Sequence, residues 1–300
     1  MFIIKNKKIF IWISISFAVI AIALLSVFGL KFGIDFKGGA LTEVVYTDGQ
    51  PEINVLQEKL NGLDLGSVLI QPTGDNGYLV KTKDLTEVER LTLFDSFSFD
   101  GKYKAEQKSF TSIGPSVGKE LAMKSLFSII FVSIAIILFI AYAFRKVSKP
   151  VSSWRYGIIT IITLLYDAII PVGIFAIFSH YLGAEVDTLF VVALLTILGI
   201  SINDKIVVFD RVRENLRGYT GGNFSEIVGK SITQTITRSI NTSLTVIFVL
   251  LALYFFGPTS TKYFALMLTA GMFFGTYSSI FLASPLLVLT EEMQTKKARK

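Results

Sequence analysis

Three ionisable residues lie inside or at the ends of long apolar stretches of the sequence: Asp167, Asp204 and Arg238. A charged side chain costs at least about 2.5–3.5 kcal/mol at the centre of a membrane helix, so such residues usually carry a function. Two carboxylates and a guanidinium predict a proton or ion relay, because a nearby arginine changes the proton affinity of a carboxylate. An arginine that moves towards or away from a carboxylate would couple ion movement to helix movement.

The depths of these residues follow from a helical rise of about 1.5 Å per residue. Asp167 is predicted about 16 Å into its span, near the middle of a hydrocarbon core about 30 Å thick. Asp204 and Arg238 are predicted about 24 Å and about 27 Å from the same outer boundary, on consecutive antiparallel helices. The sequence therefore predicts that Asp204 and Arg238 can form an ion pair.

Each charge also has a purely structural interpretation. Arg238 could extend to the headgroups while Asp204 lies at the inner rim, and Asp167 could make a static bond to a neighbouring helix. Lys205 points about 100° away from Asp204 around the helix, towards another neighbour or the cytoplasmic rim. Nearby polar residues could carry water or bond between helices: Ser201, Asn203, Thr237, Ser239, Asn241, Thr242 and Ser243.

Membrane helices must hold these residues in place. The chain has 300 residues, of which 52% are hydrophobic and only 17% are charged, whereas soluble domains are about 25% charged. Six apolar stretches are long enough to cross a bilayer, at residues 9–30, 126–144, 157–178, 188–209, 240–256 and 263–289. The first exceeds the length of a signal peptide and lacks an evident cleavage site, so we expect an uncleaved anchor.

Basic residues at the ends of the spans predict the orientation. Lysine and arginine are enriched in cytoplasmic loops, and the short loops on the opposite side hold only Lys262. Both termini are therefore predicted to be cytoplasmic, and topology explains the net charge of +6 better than nucleic acid does. The cytoplasmic basic residues are Lys5, Lys7, Lys8, Arg145, Lys146, Lys149, Arg155, Arg211, Arg213, Arg217, Lys230, Lys296, Lys297, Arg299 and Lys300.

The segment between the first two spans is predicted to be a small α+β domain outside the cytoplasm. Strands are expected at 41–47, 66–71, 78–83 and 102–110, with the hairpin turn Gly74-Asp75-Asn76-Gly77 between the second and third. Helices are expected at 51–63 and from Asp84, where Glu87 lies in a capping-box position. The order β-α-β-β-α-β is typical of a ferredoxin-like split β-α-β unit.

The predicted organisation has four parts: a tail and first span (1–30), the outer domain (31–120), five further spans (121–290) and a basic tail (291–300). With no cysteine and a single histidine, His180, the chain has no basis for thiol chemistry or a histidine-rich metal centre. No phosphate-binding loop is evident. We expect neither enzymatic activity nor a cofactor, and a binding or leverage role for the outer domain, with a simple spacer as the alternative.

Two further features concern packing. Small residues at four-residue spacing in the last span permit close contact with another span of this chain or with a second subunit: Gly271, Gly275, Ser279 and Ala283. Residues 210–214 are predicted to continue the fourth span as a charged helix. Residues 224–236 are interpreted as an interfacial segment or an ordinary loop helix.

Four sequence motifs resemble the SecD/SecF family of protein-export subunits, and its SecF branch in particular. They are GIDFKGG at 33–39, IGPSVGKE at 113–120, GISIND at 199–204 followed by VVFDRVREN at 207–215, and TITRSINTS at 235–243. Phe36 is the residue that favours SecF over SecD. The motifs occur in the family's order over nearly the whole chain.

The resemblance implies a function that spacing did not show. A SecF subunit pairs with SecD in a twelve-span unit related to the resistance-nodulation-division exporters, in the bacterial inner membrane. The pair associates with SecYEG and uses a proton or sodium gradient to draw preproteins to the periplasmic side. Asp204 and Arg238 match the family's intramembrane charged pair, and Asp167 would be a supporting relay residue. Lys205 departs from the family pattern, which has threonine there, and this puts the local electrostatics and the coupling ion in question.

Two alternatives remain open at this stage. One is half of an ion-driven exporter of small molecules or lipids, which needs a substrate pocket. The other is a passive assembly factor of the translocon, in which neutralising Asp204 or Arg238 leaves export intact.

Overall fold

The structure is a computed structural model that describes residues 2–143, 153–217 and 223–298. In chain order its elements are α1 (Phe2–Lys5), α2 (Lys7–Phe28), α3 (Ile34–Lys37), β1 (Gly39–Tyr46), α4 (Ile53–Asn61), β2 (Leu69–Thr73), β3 (Gly77–Thr82), α5 (Glu87–Phe97), β4 (Ala105–Ile113), α6 (Pro115–Ala143), α7 (Ser153–Tyr181), α8 (Thr188–Arg217), α9 (Phe224–Phe256), α10 (Lys262–Ser278) and α11 (Ser284–Ala298). A 3₁₀ turn (Thr259–Thr261) precedes α10, and a π-helical turn (Ser279–Ala283) joins α10 to α11.

The six predicted spans are confirmed. Within the described residues, six helical segments are long and apolar enough to cross a membrane: Lys7–Phe28, Pro115–Ala143, Trp154–Tyr181, Thr188–Arg217, Phe224–Phe256 and Thr259–Thr295. The predicted end of the second span at residue 144 lies outside the described residues. So do five of the basic residues used for orientation: Arg145, Lys146, Lys149, Arg299 and Lys300.

The chain divides into two compact units. The membrane unit comprises Met1–Lys31, Ser128–Ala184 and Leu189–Lys300, and the outer unit comprises Phe32–Phe127 and Glu185–Thr188. The sequence did not predict that the segment between α7 and α8 belongs to the outer unit. It is held there because Phe32 forms a parallel bridge with Val186, and because Asp35 accepts a hydrogen bond from the Thr188 amide at 2.8 Å.

The outer unit contains a four-stranded antiparallel sheet in the order β2-β3-β1-β4. Alternate residues of a strand face opposite sides of a sheet. On one side Val44 and Val80 pack against Leu56 and Leu60 of α4 and Phe97 of α5. The element order is the predicted β-α-β-β-α-β, with both helices on one face of the sheet.

The predicted N-cap of α5 is wrong by two residues. Thr86, not Asp84, is the N-cap: its hydroxyl accepts from the Glu89 amide, and the Glu89 carboxylate accepts from the Thr86 amide. The capping partner is therefore Glu89 instead of Glu87. Either threonine or aspartate can cap a helix, but only Thr86 has an acidic residue three positions later that faces back to its own amide.

Two strands also lie later in the chain than predicted. β2 begins at Leu69 because Gly66 adopts a positive φ of 72° in the preceding loop. β4 begins at Ala105 because the turn after α5 includes three consecutive positive φ angles, at Phe99, Asp100 and Gly101. Left-handed backbone at two non-glycine residues is uncommon and does not continue into a strand. The hairpin turn that precedes Gly77 is confirmed.

The N-terminal half of α9 corrects a second prediction. Residues 224–236 do not form a separate loop helix, because α9 is one continuous helix of 33 residues, about 50 Å long. Phe224, Val228 and Ile232 recur at four-residue spacing on one face and join Phe209 and Val212 of α8 in the core. Residues 210–214 are helical, as predicted, and continue α8 to its end.

The small residues of the last span lie on two kinds of helix. A Cβ built on Gly271 would lie 2.2 Å from Cγ1 of Ile197, and one on Gly275 would lie 3.2 Å from Cβ of Ser201. α10 therefore packs closely against α8 of the same chain. Ser279 and Ala283 are buried within the π-helical turn, which interrupts the four-residue repeat.

Candidate ion-relay site

A buried ion pair joins the middle of α7 to α8. The Lys205 ammonium donates to Oδ2 of Asp167, and the Ser201 hydroxyl donates to the same oxygen. Lys205 also donates to Oγ of Ser201 at 2.5 Å. The side chains of Asp167 and Lys205 are both 0% exposed, so this charge pair is completely enclosed by the protein.

The helical geometry of α8 explains how the pair forms. Ser201 and Lys205 are four residues apart and lie on one face of the helix. Side chains tilt towards the N-terminus of their helix, so the long Lys205 side chain extends back along α8 towards Asp167. The sequence left open whether Lys205 reaches a neighbouring helix or the rim, and the structure places it on α7. This tilt was a signal in the sequence that could have identified the pair.

Asp204 has a different environment from its neighbour. Asp204 is 7% exposed as a residue, and its carboxylate accepts a hydrogen bond from Oγ1 of Thr276 on α10 at 3.2 Å. The Ser243 hydroxyl of α9 is in turn hydrogen-bonded to Thr276, so a chain of hydroxyl groups leads from α9 through α10 to Asp204. Sequence reasoning missed Thr276, although it directly follows Gly275 of the predicted packing stripe.

The predicted Asp204–Arg238 ion pair is not formed in the structure. Neither residue forms a salt bridge with the other, and the Arg238 side chain is exposed on α9. The cause is helical phase, because Ser239 and Ser243 occupy the buried face of α9 and Arg238 lies about 100° away from Ser239.

The five predicted supporting residues fall into two groups. Ser201 is buried in the Asp167 cluster. Asn203 on α8 and Thr237, Asn241 and Thr242 on α9 are exposed on the surface of this chain. Hydrocarbon cannot satisfy polar groups, so polar side chains that lie within a span and face outwards need water or another protein. We refer to the exposed residues Thr237, Arg238, Asn241 and Thr242 as the polar face of α9.

The site contains no evident metal centre. Among the residues that the structure describes, no group of three or more histidine, cysteine, aspartate or glutamate side chains could hold a metal ion. The fold and the site together define a class: a polytopic membrane protein with ionisable groups inside its spans and a separate α+β unit.

Comparisons with known proteins identify the family. The model of the SecD/SecF C-terminal region of protein export membrane proteins matches residues 95–293, and the model of the SecD/SecF GG motif matches residues 23–48. The chain is 44% identical to the protein translocase subunit SecF of Thermobaculum terrenum, over 89% of this chain and 86% of that protein. It is 35% identical to SecF of Anaerolinea thermophila, over 96% and 94%. The chain therefore belongs to the SecD/SecF family, as a relative of its SecF subunits.

Solved structures support the same assignment. The crystal structure of SecDF from Thermus thermophilus, a translocon-associated membrane protein, matches with a TM-score of 0.81 and 30% sequence identity. The match covers 96% of this chain and 38% of the SecDF chain. SecDF in its super-membrane-facing form matches with a TM-score of 0.68. This chain thus spans well under half the length of the SecDF chains that it resembles.

Proposed function

We propose that this chain is a SecF-type subunit that acts with SecD to drive late preprotein translocation at the periplasmic side of the bacterial inner membrane. The energy would come from the proton or sodium gradient. One observation carries the proposal: Asp204 is a carboxylate inside the spans whose hydrogen-bond partner is a hydroxyl group, and it forms no salt bridge with Arg238. A carboxylate held in this way can exchange an ion.

Asp204 would be the protonatable group and Arg238 its switching partner. Approach of the arginine favours the ionised carboxylate, and its withdrawal favours the protonated one. Helix motion that changes the distance between α8 and the polar face of α9 would therefore bind or release a proton. Asp167 would be a supporting relay residue that does not itself exchange the ion: its contacts with Lys205 and Ser201 hold α7 beside the part of α8 that carries Asp204.

The polar face of α9 supports a partner within the membrane. Exposed polar side chains in a span are not stable against lipid, so another subunit would cover them. SecD is the partner that the family assignment favours, and this chain covers only 38% of the SecDF chain that it matches. The other proposed partners are SecYEG, the translocating preprotein and membrane lipid, and we expect no binding of nucleic acid. Both termini of the chain would be cytoplasmic.

The outer unit would serve as the moving part. Its four-stranded sheet and two helices form a core of their own, so the unit can transmit a force as one body to the emerging preprotein. The chain itself is proposed to have no enzymatic activity, and any ATP hydrolysis would belong to a partner.

The test is export of a preprotein into inverted membrane vesicles that contain the SecD partner. The late phase of export is timed with the ion gradient present and with the gradient collapsed by an ionophore. We expect the gradient to accelerate export with the native chain and to have no effect with Asp204→Asn, because the amide cannot exchange a proton.

Asp210→Asn is the matched control. Asp210 lies on the same helix, is exposed and pairs with Arg213 at 2.8 Å, so its variant should keep the response to the gradient. If Asp204→Asn responds to the gradient as the native chain does, Asp204 has a structural role and the passive assembly factor becomes the better description.

A further inference from the structure

The Asp167 cluster has the composition of a small-cation site. Three oxygen atoms surround one enclosed position: Oδ2 of Asp167, and the hydroxyl and carbonyl oxygens of Ser201. Hard cations are bound by such sets of carboxylate, carbonyl and hydroxyl oxygens. Oδ1 of Asp167 is buried and has no hydrogen-bond partner within the described residues, so the cluster has more acceptor capacity than it uses.

The position is filled by the chain itself. The ammonium of Lys205 contacts Asp167 and donates to Oγ of Ser201 at 2.5 Å, and its distance to the Ser201 carbonyl is 3.5 Å. An ammonium presents three donors and one positive charge. It supplies the cluster with the charge that a sodium ion would bring, while remaining covalently attached to α8.

We propose that Lys205 is a built-in cation that occupies this position at Asp167 permanently, excludes sodium from it, and so restricts the ion coupling of this chain to protons. The proposal deepens the proposed function and rests on it for the coupling step. The claim of occupancy stands on the geometry alone.

Electrostatic repulsion excludes a sodium ion from this position. The pair is neutral and 0% exposed, so a sodium ion entering the cluster would place a second positive charge beside the ammonium, away from water. Like charges at such a separation repel strongly where the dielectric constant is low. Displacing the ammonium is equally unfavourable, because it would leave Lys205 charged and buried without a partner.

Proton exchange does not require this position. A proton can bind directly to Asp204, whose carboxylate is hydrogen-bonded to Thr276 and lacks a bound ammonium. Within the described residues, neither Lys205 nor Arg238 forms a salt bridge with Asp204. The two adjacent residues of α8 thus have separate tasks: Asp204 exchanges the ion, and Lys205 sets which ion is accepted.

The first test measures cation-dependent stability of the full chain in detergent micelles, in sodium chloride and in choline chloride at equal ionic strength. The midpoint of thermal unfolding of the native chain should be the same in both salts. In Lys205→Thr it should fall by about 10 °C in choline and rise again, saturably, with added sodium. The double variant Lys205→Thr/Asp167→Asn should regain stability in choline and show no response to sodium.

Two results would overturn the occupancy claim. One is a native chain whose stability rises with sodium in a manner that Asp167→Asn abolishes. The other is a Lys205→Thr chain that folds and is as indifferent to sodium as the native chain. Equilibrium binding of radioactive sodium to the native chain decides the matter even if Lys205→Thr does not fold: binding that is saturable and lost in Asp167→Asn contradicts the proposal.

The second test addresses coupling in vesicles with the SecD partner. A proton gradient in sodium-free medium should accelerate export by the native chain, and a sodium gradient without a proton gradient should not. Acceleration by sodium alone would overturn the proposed ion specificity. If neither gradient has an effect, the proposed function fails, while the sodium-binding result still decides whether Lys205 fills the site.

Discussion

Asp167 and Asp204 are two carboxylates within the same helical bundle, and their environments differ in almost every respect. Asp167 is 0% exposed and in contact with an ammonium and a hydroxyl of α8. Asp204 is at the edge of the buried region, accepts one hydrogen bond from Thr276 and forms no salt bridge with any residue that the structure describes. The first carboxylate is paired with the Lys205 ammonium, whereas Arg238, the predicted partner of the second, is exposed on α9.

The difference separates a structural charge from a functional one. Removal of either partner of a buried ion pair strongly destabilises a protein, because the other charge is left buried and unpaired. Asp167 is therefore suited to hold α7 and α8 together. A carboxylate without a fixed countercharge can change its protonation when a neighbouring cation moves. Asp204 is therefore the better candidate for ion exchange, and the following predictions test that separation.

The largest effect is expected when the buried pair is broken. Lys205→Met leaves Asp167 charged and unpaired, and Asp167→Asn does the same to Lys205, so each should lower the free energy of unfolding by about 3–5 kcal/mol. Unfolding by sodium dodecyl sulfate in mixed micelles measures this difference.

The double variant is the control for this prediction. Lys205→Met/Asp167→Asn removes both charges and should be close to the native chain in stability, because no uncompensated charge remains. Additive losses in the double variant would show that the two side chains act independently, and the pair would then not be the link between α7 and α8.

The next largest effect on stability is expected at the close contact between α8 and α10. Gly271→Ala would place a methyl group 2.2 Å from Cγ1 of Ile197, one turn from Ser201, and should cost about 1–3 kcal/mol through overpacking. Gly199→Ala on α8 is the matched control, because nothing lies within 4 Å of the added methyl group. Equal stabilities of the two variants in the same unfolding assay would mean that α8 and α10 are not rigidly packed here.

The same substitution at the second carboxylate should have a smaller effect. Asp204→Asn leaves no buried cation unpaired, and the amide oxygen can still accept from Thr276, so the free energy of unfolding should change by less than about 1 kcal/mol. The informative quantity is the contrast with Asp167→Asn in one assay. If Asp204→Asn lowered the free energy of unfolding as much as Asp167→Asn does, Asp204 would have a buried countercharge too. The proposed difference between the two carboxylates would then be wrong.

Much of this comparison could be anticipated from the sequence, and the reasons for the remainder are physical. Hydropathy determined the spans because about 20 apolar residues are needed to cross a bilayer. Polar residues in those spans pointed to Asp167, Asp204 and Arg238. Element order in the outer unit followed from turn and capping signals, although the start of α5 was misjudged because Asp84 and Thr86 are both acceptable caps.

The pairing of charges was harder to predict than their location. Depth alone placed Asp204 beside Arg238, but depth says nothing about rotation around each helix axis. The rotation of α9 about its axis places Arg238 on an exposed face, and the rotation of α8 directs Lys205 towards Asp167. Such rotations are set by packing contacts, for example that of Gly271 on α10 against Ile197 on α8. The continuation of α9 to Phe224 was missed for a similar reason, since its buried face is defined only by residues of α8.

Arg238 should matter more for export than for stability. Since it is exposed and forms no salt bridge with Asp204, Arg238→Gln should change the free energy of unfolding of the isolated chain by no more than about 1 kcal/mol. It should nevertheless abolish the acceleration of export by the ion gradient in vesicles with SecD. Arg213→Gln, which removes a cation from the end of α8, is the control that should keep this acceleration; a gradient response retained by Arg238→Gln would remove Arg238 from the switch.

The smallest expected effect is a pH-dependent change in the stability of the outer unit. The pH at which it occurs determines the pH range in which the membrane carboxylates can be studied separately. Hydrogen bonds from the Thr86 amide and hydroxyl, together with Lys83, lower the pKa of Glu89 to about 2. Because this folded-state pKa lies below the unfolded value of about 4.3, the stabilisation is complete above that value and is lost as pH falls through about 2.

Hydrogen exchange in the first turn of α5 should therefore be constant from pH 8 to pH 5, after correction for the intrinsic exchange rate, and should begin to rise below about pH 4. Glu89→Gln, which can still accept from the Thr86 amide, should remove the acidic rise. A change in the exchange rate of this turn above pH 5 would mean that groups of the outer unit titrate in the pH range reserved for the membrane carboxylates. Constancy there instead allows pH effects between 5 and 8 to be tested directly against Asp204→Asn in the membrane unit.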